Sequence, residues 1–244
     1  MNENDSMKLG IVIPCYNEEE VLSETSRRLK IILNDMIKLG EIDKESFICY
    51  VDDGSKDNTW NLIESFQNES SLFKAIKLSR NFGHQNALLA GLMQLKDSAD
   101  ALVSMDADLQ DDIELIKDFV QKYKDGYAIV YGVRDDRSKD SKFKRGTAEF
   151  FYKFQHLMGI ETVHNHSDYR LMSKKALDAL SQFKEVDLFL RGIVPLLGFR
   201  SCSVHYARVE RFAGETKYPF KKMLFFALDG ITSFSIMPLR FITI

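Results

Sequence analysis

Residues 101–110 read ALVSMDADLQ. A short, mostly apolar run, Ala101–Met105, is followed at once by Asp106-Ala107-Asp108-Leu109-Gln110. Two carboxylates at i and i+2 just past a strand end can converge on one hard cation. Mg²⁺ and Mn²⁺ take such oxygen ligands and commonly share them with substrate phosphates. The same residues also fit a plain helix start, because Asp108, Asp111 and Asp112 would favour the positive end of the helix dipole. Spacing alone leaves both readings open.

An apolar run emptying into a polar loop recurs along the chain. Leu9–Ile13 is closed by Pro14 and followed by Cys15-Tyr16-Asn17-Glu18, and Phe47–Val51 runs into Asp52-Asp53-Gly54-Ser55. Phe73–Leu78 alternates, and Tyr127–Tyr131 is a further short run. Between them, Val21–Leu39 carries Leu22, Leu29, Ile32, Leu33, Met36 and Ile37 at helical spacing, and Asp57–Phe66, Gln85–Leu95 and Ile113–Tyr123 read as further helices. Short strands alternating with amphipathic helices predict an α/β fold with a mostly parallel sheet. Polar loops at the strand ends predict a ligand site at the carboxyl edge. The second half is less regular. Phe143–Leu157 and Asp187–Leu197 have helical spacing, Asp168–Met172 and Ser201–Val209 read as strands, and Phe220–Ile231 presents a wide apolar arc flanked by Lys217, Lys221 and Lys222.

Composition excludes several classes. With 45% hydrophobic and 28% charged residues in 244, the chain has the balance of a folded globular protein and enough length for one large core. Its formal net charge of −3 supplies no basic field for nucleic acid. Cys15, Cys49 and Cys202 are too few and too scattered for a disulfide framework or a zinc site, which fits a reducing compartment. The polar start MNENDSMKLG lacks a signal peptide's apolar stretch, and no run of 18 apolar residues occurs. Neither the dinucleotide fingerprint nor the P-loop motif is present.

Taken in order, PCYNE at 14–18, DDGSKDNT at 52–59, SRNFGHQNALLAGL at 79–92 and DADLQ at 106–110 resemble the family 2 nucleotide-sugar glycosyltransferases of the GT-A fold. SDYRLM at 167–172, RFAGETKY at 211–218 and the juxtamembrane-like end narrow the resemblance. They are similar to polyprenyl-phosphate glycosyltransferases, the group of dolichol-phosphate mannose synthase and the bacterial undecaprenyl-phosphate glucosyltransferases. The resemblance implies a Rossmann-like GT-A catalytic domain over 1–212. It also implies a basic loop with amphipathic juxtamembrane helices over 213–244, and transmembrane helices beyond residue 244.

The resemblance also implies roles for particular residues. Pro14, Tyr16 and Glu18 on the first loop, with Val51 and Asp53 on the second, hold the nucleoside, and Asp53 accepts from the base ring N–H. Asp106, Ala107, Asp108 and Gln110 surround the diphosphate and its metal, with Asp106, Asp108 and Gln110 as ligands. Arg134 contacts the sugar nucleotide. Arg211 and Lys217 match the family's basic pair at the donor diphosphate and could also close over it, which Gly214 would permit; the plainer alternative is a basic surface loop. Asp168 matches a proposed catalytic base, and Lys144, Arg145, Arg170 and Arg191 stand where acceptor-phosphate cations are expected. Each residue has a plainer alternative. Asp52 or Asp53 could make an Asx turn before Gly54. Arg134 could belong to a solvated charge cluster, Asp168 could pair with Arg170, and Arg191 could pair with Asp187. A phosphomonoester has a second pKa of about 6, so at neutral pH little is left for a base to do.

The implied reaction is an inverting, metal-dependent transfer of a hexose from a nucleotide sugar to polyprenyl phosphate at the cytoplasmic membrane face, with Mg²⁺ or Mn²⁺. Bacterial resemblance favours UDP-glucose or another UDP-hexose as donor over GDP-mannose. A non-catalytic nucleotide-sugar binding protein is the reading from another class; loss of either Asp106 or Asp108 would suggest it, and both are present. A processive polysaccharide synthase would carry a Gln-x-x-Arg-Trp motif, and the single Trp60 lies in no such context. The membrane surface is an expected partner, nucleic acid is not, and homo-oligomerisation is left open.

Overall fold

The structure, a computed structural model, describes residues 6–134, 166–184 and 190–207. Seven strands form one sheet in the order β3-β2-β1-β4-β6-β5-β7. The strands are β1 (Leu9–Cys15), β2 (Phe47–Asp52), β3 (Phe73–Lys77), β4 (Ala101–Ser104), β5 (Ile129–Arg134), β6 (His166–Ser173) and β7 (Ser201–Tyr206). The described helices are α1 (Leu22–Lys38), α2 (Thr59–Glu69), α3 (His84–Leu95), α4 (Leu115–Lys124), α5 (Lys174–Leu180) and α6 (Leu190–Leu196). All neighbouring strands are parallel except at β6, which runs against both β4 and β5. The mixed α/β architecture follows the alternation of runs in the sequence, and the four expected helices of the first half form within a few residues of their expected ends.

β1 and β2 are buried at every position, as strands covered on both faces must be. On one face Leu22, Leu29, Leu33 and Met36 of α1 pack with Ile63 of α2 and with Ile116 and Phe119 of α4. On the other face Ala87, Leu88 and Leu92 of α3 pack with Leu177 of α5 and with Ile193 of α6. Each such aliphatic side chain contributes about 1.5–3 kcal/mol by leaving water. α3 lies unusually close to the sheet because it faces β1 and β2 with Gly91. A Cβ there would stand 2.6 Å from Val12 Cγ1 and 2.7 Å from Val51 Cγ2.

β1 extends two residues past the Ile13 end expected from Pro14. The β1–β4 register stops at the Val12–Ser104 pair, and the last bond on that side is from Met105 N–H to the Val12 carbonyl at 3.2 Å. Pro14 comes after that point, so its missing N–H leaves no gap, whereas Cys15 still accepts from Asp53 N–H at 2.8 Å toward β2. Because β6 is reversed, its start lies beside the ends of the other strands. Asp168 is thereby brought to the same sheet edge as the loops after β1, β2 and β4.

Several expectations lie outside the described residues: Lys144, Arg145, Arg211 and Lys217, the 143–157 and 220–231 helices, and the 212/213 domain boundary. No described helix is long and apolar enough to cross a membrane.

Candidate active site

The first two loops are built as one unit. Asn17 N–H donates to Ser55 Oγ at 3.0 Å, Glu18 N–H to Thr59 Oγ1 at 2.8 Å and Glu19 N–H to Asp57 Oδ2 at 3.2 Å. In return Lys56 N–H donates to Asn17 Oδ1 and Asn58 N–H to Glu19 Oε2. Asn17 takes φ 54°, a left-handed conformation that asparagine tolerates. Tyr16 and Glu18 are half-buried on this unit. Pro14 is buried behind it, and Val51 is 0% exposed with its side chain under α3. The turn role falls to Asp52, whose Oδ1 accepts from Ser55 N–H at 3.2 Å.

Asp53 is engaged differently from the expectation. Its Oδ1 accepts from Phe82 N–H at 2.7 Å and its Oδ2 from Gly83 N–H at 2.9 Å. The carboxylate therefore clamps the turn that leads into α3. Gly54 makes this approach possible. It has φ +69°, and a Cβ there would lie 2.6 Å from the backbone carbon of Arg80.

The loop after β4 is tied down from several sides. Thr25 Oγ1 of α1 donates to the Ala107 carbonyl at 2.7 Å, and Gln110 N–H donates to Asp108 Oδ1 at 3.1 Å. Leu109 adopts φ 56°, which costs a bulky residue about 1–2 kcal/mol and is held by burial of its side chain. Asp106 keeps 36% of its side-chain surface open, and its Oδ1 lies 2.8 Å from Nε2 of His84, the first residue of α3. Burial works against charge on His84, but Asp106 outweighs it and lifts the imidazole to about 9, so the ring is a cation at neutral pH. Asp106, Asp108 and Gln110 offer oxygen donors on one short loop, the chemistry a hard divalent ion requires. Among the described residues no three His, Cys, Asp or Glu gather as a closed metal cage. Two carboxylates beside an open edge suit an ion whose other ligands come from water and phosphates.

Two arginine clusters flank this loop. Asp168 is buried, and its Oδ1 accepts from Arg170 Nη2 at 2.5 Å while its Oδ2 accepts from Arg191 Nη2 at 3.0 Å. Its carbonyl accepts from Ser104 Oγ at 2.5 Å. Burial alone would raise the Asp168 carboxyl, but Arg191 and Arg170 hold it far below the usual carboxylate range. Arg170 is enclosed at 2% exposure, whereas Arg191 keeps 36% of its side chain open. On the other side Arg134 Nη2 lies 2.8 Å from Asp111 Oδ1 and Arg134 Nε donates to Tyr206 Oη at 3.1 Å. The Tyr206 hydroxyl in turn donates to Asp111 Oδ1. Arg134 is thus a fixed side chain rather than a solvated member of a charge run.

The carboxyl edge therefore gathers Tyr16, Glu18, Asp53, Asp106, Asp108, Gln110, Arg134, Asp168 and Arg191, with Arg170 beneath them and Pro14 and Val51 behind. His84, Asp111, Tyr206, Ser104 and Thr25 belong to the same site and were not foreseen. For His84 a signal existed, since it lies inside the quoted SRNFGHQ run; the others are joined only by folding.

Residues 10–181 match the sequence profile of glycosyl transferase family 2. The chain is 54% identical over 238 residues to the uncharacterized glycosyltransferase YkoT of Bacillus subtilis, covering 97% of this chain and 70% of that protein. It is 37% identical over 235 residues to the bactoprenol glucosyl transferase of Shigella phage SfV, covering 96% of this chain and 74% of that one. Among solved structures it is similar to the mannosyltransferase PcManGT from Pyrobaculum calidifontis in complex with GDP-Man and Mn²⁺. The TM-score is 0.59 at 17% identity, over 88% of this chain and 59% of that chain. Glucosyl-3-phosphoglycerate synthase from Mycobacterium tuberculosis, with Mn²⁺, UDP and glucosyl-3-phosphoglycerate, aligns with TM-score 0.55 at 14% identity over 93% of this chain and 78% of that one. At these identities the two structures bear on the GT-A fold alone.

Proposed function

The chain belongs to glycosyl transferase family 2 and is a transferase, and from that premise we propose that it moves one hexose from a UDP-sugar to a polyprenyl phosphate at the cytoplasmic membrane face. The observation that carries the reading is the 37% identity to a bactoprenol glucosyl transferase over 96% of the chain.

The step is a single displacement at the anomeric carbon. An oxygen of the acceptor phosphate forms the new bond to that carbon as the bond to the donor's diphosphate breaks, which inverts the configuration. The nucleoside diphosphate leaves with the electron pair. The loops after β1 and β2 hold the nucleoside. Asp106 and Asp108, with Gln110, hold a divalent ion, and that ion when bound neutralises charge on the diphosphate. Arg134, fixed by Asp111 and Tyr206, faces the sugar nucleotide from the end of β5. Lys217 and Arg211, outside the described residues, complete the cationic surroundings of the leaving group. The acceptor is largely ionised at neutral pH, so Asp168 acts by orienting Arg191 toward a phosphate. Lys144 and Arg145 add positive charge for the acceptor, and residues 213–244 hold the domain at the bilayer surface.

Extraction of a labelled lipid product after incubation with UDP-glucose, undecaprenyl phosphate and Mn²⁺ tests the reading. Product from UDP-glucose and not from GDP-mannose is the expected outcome. Labelled lipid from GDP-mannose alone would reassign the donor, and no labelled lipid with any nucleotide sugar would remove the proposed acceptor.

A further inference from the structure

Two sheet-edge loops that are not neighbours in the sheet are joined by a short chain of contacts. The carboxylate of Asp53, after β2, takes the N–H groups of Phe82 and Gly83 at 2.7 and 2.9 Å. The next residue, His84, opens α3 and places Nε2 at 2.8 Å from Oδ1 of Asp106, after β4. β1 lies between β2 and β4, so no ladder bond links these ends directly. The turn itself has little freedom. Gly83 sits at φ 92° and ψ 153°, its carbonyl accepts from Ala87 N–H at 3.0 Å, and the Phe82 carbonyl accepts from Asn86 Nδ2 at 2.9 Å. α3 is seated below by the close approach at Gly91.

Ligating carboxylates are themselves held by hydrogen bonds, and losing such a partner typically weakens metal affinity about 10- to 100-fold. Asp106 makes its hydrogen bond to His84 through Oδ1 while 36% of its side chain stays open to solvent.

We propose that His84 is a positioning residue that fixes the Asp106 carboxylate for a divalent cation, and that Asp53 acts through it by holding the 82–84 turn. The inference rests on the reading of Asp106 and Asp108 as cation ligands. It gives the nucleoside end and the metal end of the donor site a shared mechanical support. It also gives Asp53 a second duty, one a residue that only reads a nucleobase would not have.

The test measures Mn²⁺ affinity in the presence of UDP, by titration calorimetry and by the electron-spin signal of free Mn²⁺, with thermal melting as the control for folding. His84→Ala is expected to weaken Mn²⁺ binding about 10- to 100-fold while UDP affinity without metal is unchanged. His84→Gln, which keeps an N–H donor, is expected to recover most of the loss. Asp53→Asn combined with His84→Ala is expected to cost less than the sum of the single changes, because both act on one turn. His84→Ala binding Mn²⁺ as tightly as the unmodified chain would overturn the proposal while leaving Asp106 and Asp108 as ligands. Strict additivity with Asp53→Asn would overturn the link between the two loops. An unmodified chain that binds no Mn²⁺ with UDP would overturn the cation reading and this proposal together.

Discussion

Arg191 reaches from the first turn of α6 to the carboxylate of Asp168, with Nη2 at 3.0 Å from Oδ2 and Nε at 3.3 Å from Oδ1. Arg170 holds the same carboxylate at 2.5 Å, so two guanidinium groups divide one buried acid.

A carboxylate held this way is a weak proton acceptor. We expect Asp168→Asn to lower turnover by a similar factor from pH 6.5 to 8.5 and to raise the KM of the donor or the acceptor. Separate KM series for UDP-glucose and for undecaprenyl phosphate would show which phosphate Arg191 serves. A general base contributes about 10²- to 10⁴-fold. If the loss were of that size and shrank as the pH rose, Asp168 would be the base after all.

The same pairing has a stability signature. The folded carboxyl lies below its unfolded value of about 3.9, so its contribution is present above that pH and is lost as the pH falls through the folded value. Asp168→Asn leaves buried Arg170 short of an anion and should cost about 3–5 kcal/mol at neutral pH, the half-exposed Arg191 adding little because water can solvate it. Urea midpoints measured between pH 3 and pH 7 should fall toward acid in the unmodified chain and change less in the variant. Parallel curves would mean that the ion pair is not what the midpoint reports.

The metal loop is tested by Asp108→Asn, which leaves the Asp106–His84 contact in place. Asp108→Asn should leave the melting curve in place and reduce turnover by at least about 100-fold, the scale of one strong electrostatic contact. EDTA should do the same to the unmodified chain, reversibly on adding Mn²⁺. Full turnover in either condition would remove the ion from the reaction.

Gly91 carries the approach of α3 to the sheet. Gly91→Ala should destabilise by about 1–3 kcal/mol through overpacking against Val12 and Val51, despite alanine's better helix propensity. Adding Val51→Ala should return part of that loss. A variant as stable as the unmodified chain would show that α3 can back away at no cost.

Residues 213–244 are expected to bind anionic vesicles, with salt weakening the binding. Lys221→Glu with Lys222→Glu should reduce co-sedimentation and leave UDP affinity unchanged. Absence of sedimentation at low salt would make the 220–231 arc part of a core.

The sheet and its first four helices were legible because β1, β2, β4 and β5 are short, nearly fully buried runs, because β3 and β7 alternate, and because each helix carries apolar residues at its own period. Asp106-Ala107-Asp108 was legible because chemistry and strand end are adjacent in sequence. The partners of that motif were not. His84 meets Asp106 across 22 residues, and Tyr206 meets Asp111 across 95, distances at which no periodicity reports contact. Arg170 lies in β6 at 2% exposure, two residues from Asp168 on the same strand face, so that pairing was legible, whereas the second partner, Arg191, comes from a helix 23 residues away. The family resemblance makes Asp53 a nucleobase acceptor. Its two backbone partners come from a turn some 30 residues away.

The reversal of β6 also sorts the molecule for anyone who would re-engineer it. Arg134, the start of β6, the start of α6 and Tyr206 all stand at the functional edge. Arg134, His166, Leu190 and Ala207, where the described chain ends or resumes, therefore lie on that side. The far edge, where Lys8 meets Glu45 and Lys174 meets Asp97, lies roughly 20 Å away along a strand of six or seven residues. A dye, a tag or a solid support belongs at that far edge, out of reach of the chemistry.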